Sequence, residues 1–304
     1  MAFAALVSST YAWYVSNNKV DATSSTISAK TDNFVLQIAT LEAGAQHGNN
    51  QSLVASSVGH KISPSSTNDL KDWFVSLSWG QDGLVHSYMQ ADVDAAGKYT
   101  RDKTGAYTIN PARYAFIKSE YVIYTVTQTG SCDVYLAAEN DVPAVQVTAE
   151  GTTTSDVIPK SLRVGITIQD LDGTTPTGNE QLVLVYAPYN ETGMGNDKTG
   201  INGWTYVANA GSLAPVTYPH VYGTNYVWTD SGNAQHNFAA RKNGMVYEAP
   251  TSNAATIATG VDYDGKILRV YMWIEGTDEQ CVNNSNEEDS STFRVTVSLA
   301  GVAK

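Results

Sequence analysis

Short runs in which apolar and polar residues alternate occur along most of this chain. Val, Ile, Thr and Tyr dominate these runs, and Gly, Asn, Asp and Pro separate them, which is typical of half-buried strands joined by turns. No helical pattern separates the runs at the spacing that a parallel sheet requires. The sequence therefore predicts an all-β fold, an antiparallel β-sandwich of jelly-roll type with large loop insertions and an extended N-terminal strand. The clearest predicted strands are residues 34–38, 74–79, 121–126, 134–137, 162–168, 182–186, 267–274 and 292–299.

Two segments depart from this strand pattern. Residues 65–73 predict a short helix, because Ser66 or Thr67 can cap its start and Asp69 lies in its first turn. Residues from about 187 to 260 are rich in Gly, Asn, Tyr and Pro, and no Pro/Ser-rich linker marks a domain boundary. We therefore expect a single β-sandwich domain, residues 23–304, with an elaborated insertion at about 187–260.

The first 22 residues differ from the rest of the chain. Residues 1–15 carry no charge, and no Lys or Arg precedes Lys19, although the n-region of a secretion signal requires one. The apolar run is also shorter than the roughly 20 residues of a membrane span, so we expect no span in the chain. Val7, Tyr11, Trp13 and Val15 recur at period two, which predicts an extended arm, residues 1–22, buried against its own domain or a neighbouring subunit.

The charge balance argues against nucleic acid as a partner. The net charge is −12, from 30 acidic and 18 basic residues, and the densest basic cluster is the pair Arg241-Lys242. A nucleic-acid groove or an anionic membrane surface needs concentrated positive charge, which this chain lacks. Only 16% of the residues are charged, so the polar surface is mostly Ser, Thr, Asn and Gly.

No sequence motif indicates catalysis. None of the five histidines lies in a His-Glu-x-x-His motif, and the chain has neither a Gly-x-Ser-x-Gly elbow nor a Gly-rich phosphate loop. We therefore expect no enzyme activity and no cofactor. An aromatic set in the insertion is consistent with carbohydrate stacking, but interior or interface packing is the favoured interpretation. Its members are Tyr189, Trp204, Tyr206, Tyr218, Tyr222, Tyr226 and Trp228.

Cysteines and paired aspartates are the remaining candidate sites. Cys132 and Cys281 belong to no Cys-x-x-Cys pair, so they form either one disulfide or two buried thiols. Three Asp-x-Asp segments can present oxygens to calcium, but Asp-Gly is also a frequent hairpin signal, and plain turns are favoured. The calcium candidates are Asp92, Asp94, Asp170, Asp172, Asp262 and Asp264.

Two stretches resemble the exported proteins processed by the SipW-type signal peptidase, which include TasA-like biofilm fibre subunits and camelysins. Residues 9–18 (STYAWYVSNN) look like the export-signal junction of that family. Residues 273–281 (WIEGTDEQC) are similar to an acidic, cysteine-bearing motif near the C-terminus of many members.

The resemblance implies an extracellular, cell-surface subunit that polymerises head-to-tail by lending its N-terminal strand to the next copy. The protein would then be a structural part of a pilus or biofilm-matrix fibre, a helical homopolymer. An extracellular destination also favours a disulfide between Cys132 and Cys281. The alternative is a monomeric secreted surface protein that binds carbohydrate or acts as a camelysin-like hydrolase. The expected donor-strand residues are Phe3, Ala5, Val7, Tyr11, Trp13 and Val15.

Overall fold

A computed structural model describes most of the predicted strands. The described residues are 21–30, 36–45, 47, 53–56, 60–67, 69–75, 89–102, 114–137, 145–150, 162–187, 204–208, 226–229, 240–242, 246–249, 256–276 and 292–304. Over these residues the protein is all-β and contains no helix.

Twenty strands are present in the described residues. They are β1 (Asp21–Lys30), β2 (Leu36–Thr40), β3 (Leu53–Ser56), β4 (His60–Lys61), β5 (Ser65–Ser66), β6 (Trp73–Val75), β7 (Met89–Val93), β8 (Tyr99–Asp102), β9 (Ile117–Thr125), β10 (Cys132–Leu136), β11 (Val145–Glu150), β12 (Leu162–Asp172), β13 (Thr175–Ala187), β14 (Trp204–Ala208), β15 (Tyr226–Thr229), β16 (Ala240–Lys242), β17 (Val246–Glu248), β18 (Thr256–Val261), β19 (Lys266–Ile274) and β20 (Thr292–Ala303).

Most of these strands belong to two seven-stranded sheets. Sheet A has the order β18-β10-β20-β1-β3, with β11 also paired to β20 and β4 also paired to β1. Sheet B has the order β15-β14-β13-β12-β19-β9-β2. The ladders of sheet B are antiparallel throughout, as the sequence predicted.

Sheet A corrects the wholly antiparallel prediction. The first described strand, β1, pairs with the last, β20, in parallel from Asp21 opposite Thr292 to Lys30 opposite Ala300. Parallel neighbours cannot be joined by a tight hairpin and need a long connection. Here the chain between the two strands supplies that connection, so the pattern of the individual strands gave no sign of the parallel pair.

The hydrophobic core lies between the two sheets. On β19, Leu268, Val270 and Met272 face sheet A, as their even spacing requires, and all are buried. Both sheets contribute to the core; its members include Val134, Leu136, Val295, Val297 and Leu299 from sheet A, and Leu36, Ile38, Ile123, Val164 and Ile166 from sheet B. The fold is therefore sandwich-like in its central layer.

A third layer covers part of the other face of sheet B. Strands β5-β6-β7-β8 form a four-stranded antiparallel sheet, sheet C. Trp73 of β6 meets Trp273 of β19 edge-on, with ring centroids 5.7 Å apart, in a second buried cluster. Because β19 is covered on both faces, every residue from Ile267 to Ile274 is buried. A separate hairpin, β16-β17, completes the described strands.

The helix predicted at residues 65–73 is wrong. Ser65 and Ser66 form strand β5. Thr67 and Asp69 form turns rather than the first turn of a helix. The Thr67 hydroxyl accepts a hydrogen bond from the Leu70 backbone N–H at 3.0 Å, and Leu70 adopts φ of 59°. Side-chain bonds of this kind compete with a helix, and the left-handed backbone at Leu70 prevents its continuation.

Both segment limits expected from the sequence can be compared with the strands of the structure. The expected boundary at residue 22 falls inside β1, which begins at Asp21. The expected insertion at about 187–260 contains β14 and β15, and both continue sheet B beyond β13.

Candidate functional site

The two large sheets end unevenly on one side of the molecule. Sheet A ends at β18, which pairs only with β10 among the described residues, whereas sheet B continues through β13 to β14 and β15. On the opposite side β3 of sheet A contacts β2 of sheet B, so the two sheets end together there. The open side therefore presents, next to sheet B, an edge of β18 that no described strand pairs with.

A cleft of about 250 Å³ lies at this open edge. Strands β12, β13 and β18 supply its walls, and Lys266 of β19 lies at its rim. Ile168 and Val183 are only partly buried although they pack against the central core, so the core reaches solvent at this point. The lining residues are Ile168, Gln169, Asp170, Asn179, Gln181, Val183, Thr256, Ile257, Ala258, Thr259 and Lys266.

The edge strand carries a buried hydroxyl that lacks a partner. The Oγ1 atom of Thr256 is inaccessible to solvent and makes no hydrogen bond. A buried polar atom without a partner is uncommon in native structures, because leaving it unpaired costs roughly 1–3 kcal/mol. Thr256 also lines the cleft, so the unsatisfied group and the unpaired strand edge occur together.

A β-bulge interrupts the pairing of β18 with β10, its one strand partner among the described residues. The pairing slips between Cys132 opposite Val261 and Val134 opposite Ala258, which leaves an extra residue on β18. Gly260 allows this bulge with φ of 61°, and its backbone N–H donates to Asp133 Oδ1 at 2.8 Å. Asp133 therefore substitutes for the backbone acceptor that the slip removes.

A charged network lies on the opposite face of sheet B. Arg269 of β19 is 9% exposed and donates from Nε to Glu120 Oε1 at 2.6 Å, while its Nη1 lies 3.4 Å from Glu180 Oε2. Glu180 Oε1 accepts hydrogen bonds from the hydroxyls of Thr167 at 2.5 Å and Tyr271 at 2.8 Å. The network therefore joins β9, β19, β12 and β13.

Burial and charge shift the pKa of two groups in this network. Burial raises the pKa of the Tyr271 hydroxyl, and the neighbouring Glu180 carboxylate raises it further. At Glu120, burial raises the pKa, but the hydrogen bonds and charges of Arg269 and Lys118 together lower it by more. The pKa of Glu120 therefore lies below its ordinary value, and Tyr271 remains protonated as a hydrogen-bond donor.

Several predicted site residues lie outside the described residues. These are the six donor-strand residues, Phe3, Ala5, Val7, Tyr11, Trp13 and Val15, and the cysteine Cys281. Cys132 is a fully buried free thiol, and burial together with the charge of Asp133 raises its pKa to about 12. Its pairing with Cys281 stays a prediction.

The paired aspartates all lie at turns or strand ends. Asp94 Oδ1 accepts hydrogen bonds from the backbone N–H groups of Ala96 and Lys98, both at 2.9 Å, while Asp92 is exposed on β7. Asp170 forms an ion pair with Lys266.

Asp172 is exposed and precedes Gly173 in the β12–β13 turn, and Asp262 Oδ1 accepts from the Gly265 N–H at 3.2 Å. Asp264 is exposed in the turn between β18 and β19. Within the described ranges no three His, Cys, Asp or Glu side chains are grouped as a metal site requires. Calcium binding at these residues stays a prediction.

No local sequence pattern predicts the network around Arg269. Glu120 and Glu180 are 149 and 89 positions from Arg269, so only the strand register places them together. Alternation within β9 and β19 puts Glu120 and Arg269 on the same sheet face, but it does not say that the two strands are neighbours.

Comparisons with known proteins add no relative: no protein-family model matches the chain, and no curated protein does. Among the described residues there is also no helix of the length and apolarity that a membrane crossing requires.

Proposed function

We propose that this protein is a structural subunit of an extracellular filament, in which the N-terminal arm of one copy completes sheet A of the next copy along β18. The observation that carries the proposal is the edge of β18, which has no strand partner among the described residues and lies beside a cleft into the core. The pattern of the first 15 residues and the resemblance to SipW-processed fibre proteins also support it.

An added strand would satisfy the backbone groups of this edge. Edge strands present a row of free N–H and C=O groups, and an extended peptide can pair with them while its alternate side chains enter pockets. Most residues that line the cleft are polar, but Ile168, Val183 and Ile257 form an apolar wall within it that suits such side chains. Val7, Tyr11, Trp13 and Val15 supply them at period two, and burying each large one contributes about 1.5–3 kcal/mol.

The geometry of the contact sets the form of the assembly. Residues 1–20 precede the first described strand, and this segment is longer than a typical strand of about 5–10 residues. A contact between an arm and a groove is head-to-tail, so it does not close on two copies and propagates as a helical homopolymer. In this proposal each subunit is a jelly-roll sandwich with the strand of its neighbour added, and it performs no catalytic step and needs no cofactor.

The test is deletion of residues 1–18, followed by addition of a synthetic peptide of the same residues. We expect the truncated protein to stay monomeric in analytical ultracentrifugation and to bind the peptide in a one-to-one complex.

Two substitutions locate the binding site. Val183→Lys places a charge in the apolar wall of the cleft and should abolish peptide binding, because the peptide would bury that charge unpaired. Thr175→Lys adds the same charge at the exposed tip of the β12–β13 hairpin and should leave binding unchanged. Normal filaments from the truncated protein, or an intact protein that stays monomeric at high concentration with its arm on its own cleft, would contradict the proposal.

A further inference from the structure

The segment of β13 that lines the cleft has a second set of contacts on its opposite face. Asn179, Gln181 and Val183 line the cleft, whereas Glu180 and Leu182 lie between them in sequence. Leu182 packs against the second buried cluster under sheet C, and Glu180 joins the network of Arg269. One short stretch of strand therefore connects the cleft wall to the outer face.

This stretch is not held by regular strand pairing. Ile168 of β12 is opposite Gln181, but Asp170 is opposite Thr177, so the three residues 178–180 oppose Gln169 alone. Gly178 adopts φ of 66°, and its carbonyl accepts a hydrogen bond from the Gln169 side chain at 2.9 Å. Bulged residues lose ladder hydrogen bonds, and side-chain contacts must then fix their position.

Glu180 supplies these contacts with both carboxylate oxygens. Oε1 accepts from Thr167 on β12 and Tyr271 on β19, and Oε2 faces the Arg269 guanidinium. Charge-assisted hydrogen bonds are about twice as strong as neutral ones. The bulge is thereby tied to the two strands that form the middle of sheet B.

We propose that Glu180 is a positioning residue for strand acceptance. Its bonds on the outer face hold the bulged segment of β13 so that Gln181 and Val183 form a fixed wall of the cleft. The inference rests on the proposed function, because it assumes that the cleft receives the arm of a neighbouring copy. Glu180 does not contact the arm; it lowers the ordering cost of binding by keeping the acceptor preorganised.

The test measures assembly of the full-length chain with three substitutions. Glu180→Ala removes all three contacts, and Glu180→Gln keeps an acceptor for Thr167 and Tyr271 but loses the charge. Glu120→Gln is the matched control. It also removes a carboxylate partner of Arg269, but Glu120 lies on β9, away from the cleft.

The critical concentration for filament growth is measured by sedimentation, at a temperature at which circular dichroism shows each variant folded. We expect increases of about tenfold for Glu180→Ala and about threefold for Glu180→Gln, and less than about twofold for Glu120→Gln.

A mixing experiment separates positioning from general destabilisation. A folded Glu180→Ala subunit keeps its arm and still binds the open cleft of a wild-type filament end, but its own cleft accepts poorly. Added in small molar proportion, it should shorten wild-type filaments in electron micrographs, whereas Glu120→Gln subunits should be incorporated without effect.

An unchanged critical concentration for Glu180→Ala, or an equal increase for Glu120→Gln, overturns the inference. If Glu180→Ala does not fold, Glu180→Gln decides: a threefold increase supports the inference and no change overturns it. Wild-type protein that does not polymerise, or whose assembly is not inhibited by excess peptide 1–18, overturns the proposed function itself.

Discussion

Gly165 shows how a single missing side chain allows a third layer to pack on sheet B. A Cβ atom at this position would lie 3.0 Å from Leu70 Cδ1 and 3.1 Å from Trp273 Cζ3. Both neighbours are buried in the second cluster, so neither can move without disturbing sheet C.

We therefore expect Gly165→Ala to destabilise the protein by about 1–3 kcal/mol through overpacking. Urea denaturation measures the free energy of unfolding. The same substitution in a Leu70→Ala background should cost less, because the clashing methyl groups are gone. Equal costs in the two backgrounds would show that Leu70 is not the obstacle.

Glu120 gives the protein a defined sensitivity to acid. Its pKa is lowered in the folded state from an ordinary value of 4.5, so folding favours the ionised carboxylate beside Arg269. The stabilisation is complete above the unfolded-state pKa and is lost as the pH falls through the folded-state pKa.

We expect the wild-type protein to lose more stability than Glu120→Gln as the pH decreases from about 5, because the amide cannot titrate. Thermal unfolding followed across this pH range measures the difference. Parallel pH profiles for the two proteins would mean that other carboxylates account for the loss.

At the scale of the element, the side chain of Asp133 stabilises the bulge in strand β18. Asp133 accepts the Gly260 N–H at the bulge and also lies 3.2 Å from the Lys304 ammonium group. Without the carboxylate, the extra residue of β18 has no fixed acceptor on β10, and the only described partner of this strand holds it less firmly.

Asp133→Ala should therefore increase amide hydrogen exchange along β18 and destabilise the protein by about 1–2 kcal/mol. Hydrogen exchange read by mass spectrometry reports the local effect. Asp264→Ala, in the exposed turn that follows β18, removes the same charge and should leave exchange in the strand unchanged. Faster exchange in both variants would assign the effect to charge rather than to the bulge.

The elements that local pattern predicts are those with long, uninterrupted runs of β-branched, aliphatic and aromatic residues. Residues 162–168, 267–274 and 292–299 fall within strands β12, β19 and β20, and residues 121–125 of the predicted run 121–126 fall within β9. Enrichment in β-branched, aliphatic and aromatic residues is a local property, and each of these segments shows it over six residues or more.

The local pattern does not predict which strands pair. The parallel contact between β1 and β20 and the early end of sheet A at β18 depend on register between distant segments, which alternation does not encode. For the same reason the N-terminal arm could be predicted from the sequence, but the cleft beside β18 could not. The segment at 65–73 was misassigned because Thr67 and Asp69 bond to nearby backbone in turns as readily as they cap a helix.

On the scale of the whole molecule, the proposed donor and the proposed acceptor are at separate places on one chain. The arm precedes β1 in the middle of sheet A, whereas the open edge lies at β18, beyond β20 and β10. A chain with both parts polymerises without limit, and a chain with only one part ends the polymer. All copies carry a net charge of −12, so screening by salt should assist assembly.

This separation makes a mixture of two disabled proteins informative. The first lacks residues 1–18 and can only accept; the second carries Val183→Lys and can only donate. Neither should polymerise alone, because each lacks one half of the contact. Mixed together, they should form a one-to-one complex that does not grow, since the accepting copy has no arm and the donating copy has a blocked cleft.

Size-exclusion chromatography with light scattering measures the mass of the product, and one copy of each chain is the expected result. Long filaments from the mixture would show that the arm binds somewhere other than the cleft beside β18. Two separate monomers would show that the arm of the donating copy does not leave its own domain, and that the contact between copies does not depend on strand exchange.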